Sequence, residues 1–218
     1  MILTRTYLNA RRQGARKLLG NPQAMHAAIL SGFPPGLDPG RALWRVDAHE
    51  PLCPALYVVS EHRPDLTHLE EQGGWPTHSL TESADYDAFL GKLKAGQVWS
   101  FRLTANPTHR AAIGNASKIV AHVTVRQQRG WLLDRADQIG VSFGDAEQSS
   151  ADVVGREVRR FSRRGAPVTL GTATYAGALT VVDPEALRVA LTTGIGRAKA
   201  YGCGLLTLLA NARSACCG

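Results

Sequence analysis

Three groups of residues in this chain have types and spacings that suit chemistry. The first is a glycine-rich segment, TTGIGRAKAYGCGLLTLL, in which Gly194, Gly196, Gly202 and Gly204 bracket two cations, Arg197 and Lys199. The second is GREVRRFSRRG, which sets Arg156, Arg159, Arg160, Arg163 and Arg164 against one acid, Glu157. The third is the set of seven histidines, whose unperturbed pKa of about 6.5 suits proton transfer near neutral pH. None of the histidines forms HExxH or zinc-finger spacing with a cysteine, so no metal site is expected.

Each group also has a plainer reading. A glycine-rich loop can be a tight connection whose residues need positive φ or close packing. Guanidinium forks suit phosphate oxygens, but a charged hairpin tip also blunts edge pairing. In a strand, Arg156, Arg160 and Arg164 share one face and Arg159 and Arg163 the other. Unpaired guanidinium is too costly to bury on either face, so the tip is expected to stand clear of the sheet. A histidine at position 26, beside an apolar stripe of Met25, Ala28, Ile29 and Gly32, is by itself an ordinary boundary residue.

Nucleotide-cofactor sites are disfavoured. GIGRAK lacks the third glycine of a dinucleotide fingerprint and lies between a helix and a strand, the reverse of the order that motif needs. There is no P-loop GKS or GKT. A bare backbone near Arg197 and Lys199 fits the approach of RNA phosphates better. The net charge of +7 and pI of about 9.6 favour a polyanionic partner. Aromatic residues make up only 6%, which argues for reading backbone and shape, with Lys118 a further cation, rather than stacking bases on a platform.

The elements that must position these groups are legible in outline. NPQAMHAAILSGFP predicts a helix with Asn21 as cap, Pro22 at its first position, and Gly32 and Pro34 ending it. MILTRTYLN, RALWRVDAH and PALYVVSEH read as strands, and HRPDLTHLEEQ as a weak helix. After a loop around GKLKAGQ, QVWSFRLTAN alternates as a strand and VTVRQQRGWLLDRADQIG contains a helix. Two long strands follow with a turn near Gly165. DPEALRVALTTG is a helix capped by Asp183 and ended by Gly194, and GCGLLTLLA reads as the last strand. Each half approximates βαββαβ, predicting an α+β chain of tandem ferredoxin-like domains with antiparallel sheets, divided as 1–94 and 95–218.

No apolar run is long enough to span a membrane. The four cysteines, Cys53, Cys203, Cys216 and Cys217, show no CxxC pattern. Both facts lead to an expected cytoplasmic location and a reduced state.

GIGRAKAYGCGLLTL resembles the glycine-rich signature of the RAMP superfamily of CRISPR-associated proteins. FRLTANPT resembles the opening strand of the second domain of the CasE family of type I-E endoribonucleases. NPQAMH sits where that family keeps its catalytic histidine helix, and LWRVD and YAGALTVVDPEAL follow in the same order. The resemblance spans nearly the whole chain. It implies metal-independent, cofactor-free cleavage of the repeat stem-loop of precursor CRISPR RNA, with the product kept in a surveillance complex alongside other subunits. It implies His26 as the catalytic histidine, acting as acid or base, in a protein that is a monomer in isolation. The family often keeps a tyrosine where this chain has Gln23, which can hydrogen-bond a phosphate or 2′-hydroxyl but cannot act as a phenol. The alternatives are a non-cleaving RNA-binding subunit of the same superfamily and, from another class, a nucleotide-dependent enzyme.

Overall fold

The computed structural model describes residues 1–75, 80–113, 116–144, 149–163 and 165–210. Two compact units emerge. The first comprises 1–91 together with 161–168 and 199–202, and the second holds 92–160, 169–198 and the chain from 203.

In the first unit, β1 (Ile2–Tyr7) leads into α1 (Gln13–Gly20) and α2 (Pro22–Leu30), followed by β2 (Leu43–Asp47) and β3 (Ala55–Ser60). Next come α3 (Thr67–Gly73), β4 (Glu82–Asp85) and α4 (Tyr86–Leu90). The sheet runs β2-β3-β1-β4 with every pairing antiparallel, which is the ferredoxin-like order. Leu8, Leu18, Met25, Ile29, Trp44, Leu56 and Val58 share its core with Leu66 and Leu69.

The order differs from the sequence expectation in two places, the first crossover and the added α4 after β4. Two helices, not one, fill the first crossover, because Asn21 is extended and serves as the end of α1 and the cap of α2 at once. β4 is short and mostly exposed, so it has no apolar alternation to announce it.

The second unit begins with β5 (Val98–Ala105) and a separate hairpin, β6 (Thr108–Ile113) with β7 (Ala116–Ala121). The helices α5 (Val125–Leu133) and α6 (Ala136–Ile139) and the short β8 (Val141–Ser142) come next. They are followed by the long strands β9 (Ala151–Arg163) and β10 (Ala166–Val181), then α7 (Pro184–Thr193). A 3-10 turn at Lys199–Tyr201 precedes β11 (Leu206–Ala210). The sheet order is β11-β5-β10-β8, with β9 also on β10, a second ferredoxin-like arrangement. Phe101, Leu103 and Ala105 are buried as alternation requires, and Asp183 caps α7 through the N–H groups of Glu185 and Ala186.

The second unit goes beyond the sequence expectation in two respects and corrects it in a third. The stretch from 125 to 139 is two helices, and the β6–β7 hairpin was not anticipated. The last strand starts at Leu206 rather than at Gly202, because Gly202 and Gly204 take φ of +77° and +90°, which a strand cannot hold.

The arginine hairpin needs a finer correction. β5 pairs with β10 only over Ala173–Thr180, so the tip does extend past β5. Its surroundings are not all solvent, however. Phe161 lies 4.8 Å from the ring of Tyr201, and Arg159 is half-buried with its Nε donating to Glu157 at 2.8 Å. The pair keeps contact with solvent, with Glu157 exposed, so a partial burial of Arg159 leaves no unpaired charge in the core. Among the described residues no helix is long and apolar enough to cross a membrane.

Candidate functional site

The helix that carries His26 is built locally. Pro22 has no N–H to waste at the first turn, and the Asn21 side chain accepts from the N–H groups of Gln23 and Ala24 at 3.0 and 3.2 Å. Met25 and Ile29 point into the core, which leaves His26 half-buried at its edge. Its Nδ1 is fully buried and has no hydrogen-bond partner. Burial holds the imidazole pKa below its ordinary value, since desolvation disfavours the charged form. The ring is therefore neutral at pH 7, with an unsatisfied polar atom of the kind that marks a functional position. Gln23, one turn earlier, is also half-buried.

α2 packs against the turn Lys199–Tyr201, and β2 packs against the same turn. Lys199 is half-buried, and burial first, then the charge of Arg41, lowers its pKa. The turn is held by a close approach. A Cβ on Gly202 would lie 2.7 Å from the Trp44 ring, and its φ is +77°. Only glycine lets the backbone settle there.

In the second unit, Gly196, at φ +76°, would put a Cβ 2.8 Å from Trp131. Gly194 closes α7 by donating to Ala190, and Gly204 donates to Thr104 at 2.7 Å. Each of the four glycines thus has a conformational or packing reason of its own.

The structure brings Gln23, His26 and Lys199 onto packed elements of the first unit. Gly202 belongs there too, and so does Arg163, which is exposed at the hairpin tip. Arg156, Arg159 and Arg160 lie on the second-unit part of β9, and Lys118 is exposed on β7. Gly194, Gly196, Arg197 and Gly204 are also second-unit residues. Arg164 lies outside the described residues, as do Cys216 and Cys217. Arg156 donates to the carbonyl of Val123, while Arg160 and Arg197 are exposed. Sequence reading overlooked Arg41, whose charge bears on Lys199, and Val154 and Val158, exposed valines on the Arg156 and Arg160 face of β9. The alternation of valine with arginine was the available signal. Among the described residues no three His, Cys, Asp or Glu side chains converge as a metal-binding group.

The family described as "CRISPR associated protein" matches residues 1–209. The chain is 31% identical over 218 residues to the CRISPR-associated endoribonuclease Cse3 of Thermus thermophilus, covering 95% of this chain and 99% of that one. It is also 31% identical over 187 residues to the CRISPR system Cascade subunit CasE of Escherichia coli, covering 76% of this chain and 93% of the relative. Among solved structures, CRISPR endoribonuclease Cse3 bound to a 19-nucleotide RNA superposes with a TM-score of 0.80 at 29% identity. That match covers 96% of this chain and all of the other.

Proposed function

This chain belongs to the CRISPR-associated protein family, and from that premise we propose that it is an endoribonuclease that binds precursor CRISPR RNA at the repeat stem-loop and cuts it. The observation that carries the reading is His26, neutral and half-buried with a buried nitrogen that has no partner, on a helix packed against the Lys199 turn. A neutral imidazole is ready to accept a proton, so His26 serves as the base.

It takes the proton of the 2′-hydroxyl, whose oxygen then attacks the adjacent phosphorus. The new 2′-O–P bond forms as the bond from phosphorus to the 5′-oxygen breaks. The 5′-oxygen takes a proton from solvent, and the products are a 2′,3′-cyclic phosphate and a 5′-hydroxyl. Lys199 offsets charge on the phosphorane, and Gln23 hydrogen-bonds a phosphate or sugar oxygen. Residues 1–94 supply the histidine. Residues 95–218 supply most of the RNA contact, through the exposed arginines of β9, Lys118 and the glycine-rich segment. On this reading the protein acts in the cytoplasm, is a monomer in isolation, and keeps its product within a type I-E surveillance complex; the name of the E. coli relative, a Cascade subunit, supports assembly with other subunits.

The test is incubation with the repeat RNA in EDTA, beside His26→Ala. A single cut that leaves a cyclic phosphate, slowed by about 10²–10⁴-fold in the variant with RNA affinity retained, is the expected result. Cutting that survives the substitution would remove His26 from the mechanism. Gln23 favours a second reading, a subunit that holds RNA without cutting it. Tight binding with no cleavage by the unaltered protein would select that one.

A further inference from the structure

The second unit contains a cavity of about 510 Å³ whose lining, apart from Gly196 and Arg197 of the glycine-rich segment, has no part in the mechanism above. Three separate stretches of chain converge on it. β6 brings His109 and Arg110, and β7 leads directly into His122, whose N–H donates to Pro107 at 2.9 Å. The end of α5 supplies Trp131 and, just beyond it, Asp134 and Arg135. The loop after α7 adds Gly196 and Arg197, with Arg197 bridged to Asn106 across the backbone. Gly196 allows that loop to lie against Trp131, which sets Arg197 at the rim.

We propose that this cavity binds a phosphate group of a nucleotide, held by the guanidinium groups of Arg110, Arg135 and Arg197 and by the imidazoles of His109 and His122. The lining carries three guanidinium groups against one carboxylate, Asp134, which selects an anion. Forked N–H donors match phosphate oxygens. The two imidazoles stack with centroids 4.5 Å apart, which holds both rings beside the three guanidinium groups that line the cavity.

The group held is a phosphate and not a base. Trp131 is buried, and its ring already stacks with Arg135 at 4.1 Å and with Tyr175 at 6.2 Å, so it offers no open face to a nucleobase. Arg135 is aligned in advance, because its NH1 also donates to the Trp131 carbonyl at 2.6 Å. A volume of this size suits a small ligand.

The site also has a built-in response to pH. Burial, then His109 and Arg135, hold the His122 pKa below its ordinary value, against the opposing pull of Asp134. Arg110 and Arg197 face the same cavity. A bound phosphate opposes those lowering influences and favours the imidazolium. Binding therefore takes up a proton and tightens as pH falls through the histidine range.

Only the source of the phosphate, an RNA backbone or a free nucleotide, rests on the RNA reading. The experiment is a ¹H–¹³C titration of the full chain labelled at histidine, with three probes: adenosine, 5′-AMP and the dinucleoside monophosphate ApA. The phosphodiester of ApA lacks the second ionisation, near about pH 6, that a phosphomonoester such as 5′-AMP has, so the pH dependence of ApA binding belongs to the protein.

The expected result is that His109 and His122 resonances shift with a phosphate-bearing probe and not with adenosine, and more tightly at the lower pH. Arg110→Gln with Arg197→Gln, both exposed positions that leave the fold intact, weakens binding at least about tenfold. Response to ApA identifies an RNA phosphodiester as the ligand, and response to 5′-AMP alone identifies a terminal phosphate. Silent resonances at about 10 mM of both phosphates, or equal shifts with adenosine, overturn the proposal. RNA cutting assayed in parallel separates the two readings. Cutting with silent histidines refutes only the cavity, and shifting histidines without cutting refute only the nuclease.

Discussion

At the scale of single residues, His26 and Gly202 carry the most consequence. Burial lowers the His26 pKa, so the imidazole stays unprotonated at neutral pH and somewhat below. If it is the base, single-turnover cleavage holds level from neutral pH down through about 6.5 and falls only below that, as the ring protonates. A rate that climbs as pH falls would assign the histidine the opposite, acid role. Gly202 combines φ of +77° with a Cβ position 2.7 Å from the Trp44 ring. Gly202→Ala is expected to cost about 2 kcal/mol or more from left-handed strain and overpacking together, measured by urea denaturation. An unchanged midpoint would show that the turn relaxes freely away from Trp44. The glycines themselves were legible in the sequence. Their reason was not, because the tryptophans they rest against lie far away along the chain.

At the scale of elements, β9 sorts the arginines that sequence alone treated as one set. Arg160 and Arg163 are exposed, while Arg159 is half-buried and paired with Glu157. Replacing Arg160 and Arg163 by alanine is expected to weaken RNA binding and to lower the salt slope by about 1.4–1.8, on the basis of two lost phosphate contacts. Equilibrium binding across a salt series measures both. An unchanged slope would remove this hairpin from the RNA interface. Arg159→Ala makes a poorer probe, since it also frees Glu157 and unpacks part of the strand. α2 and α7 were legible because Asn21–Pro22 and Asp183–Pro184 are local signals that act through the nearest N–H groups. α1 was missed because its end coincides with the cap of α2. The β6–β7 hairpin was missed because exposed polar residues, His109 and Arg110 on one strand and Ser117 and Lys118 on the other, break any apolar alternation.

At the scale of the whole molecule, chain order and compactness disagree. Residues 161–168 and 199–202 belong to the first unit although they follow most of the second in sequence. A fragment of residues 1–94 lacks both segments and uncovers Trp44, which is 2% exposed in the full chain. It is expected to bind hydrophobic dye and to melt without a sharp transition, whereas the full chain melts cooperatively. A fragment that unfolds as cooperatively as the full chain would show the later segments to be dispensable. The sequence by itself determined the α+β class, the capped helices, the long basic hairpin and the family resemblance. Each of these is written in short windows, as caps, alternation, turn residues or motif order. Only the tertiary structure decided that α2 meets the Lys199 turn, that Gly202 rests on Trp44, and that His109 stacks with His122. Those contacts depend on sheet register and on packing between distant segments, and no local window of sequence records either one.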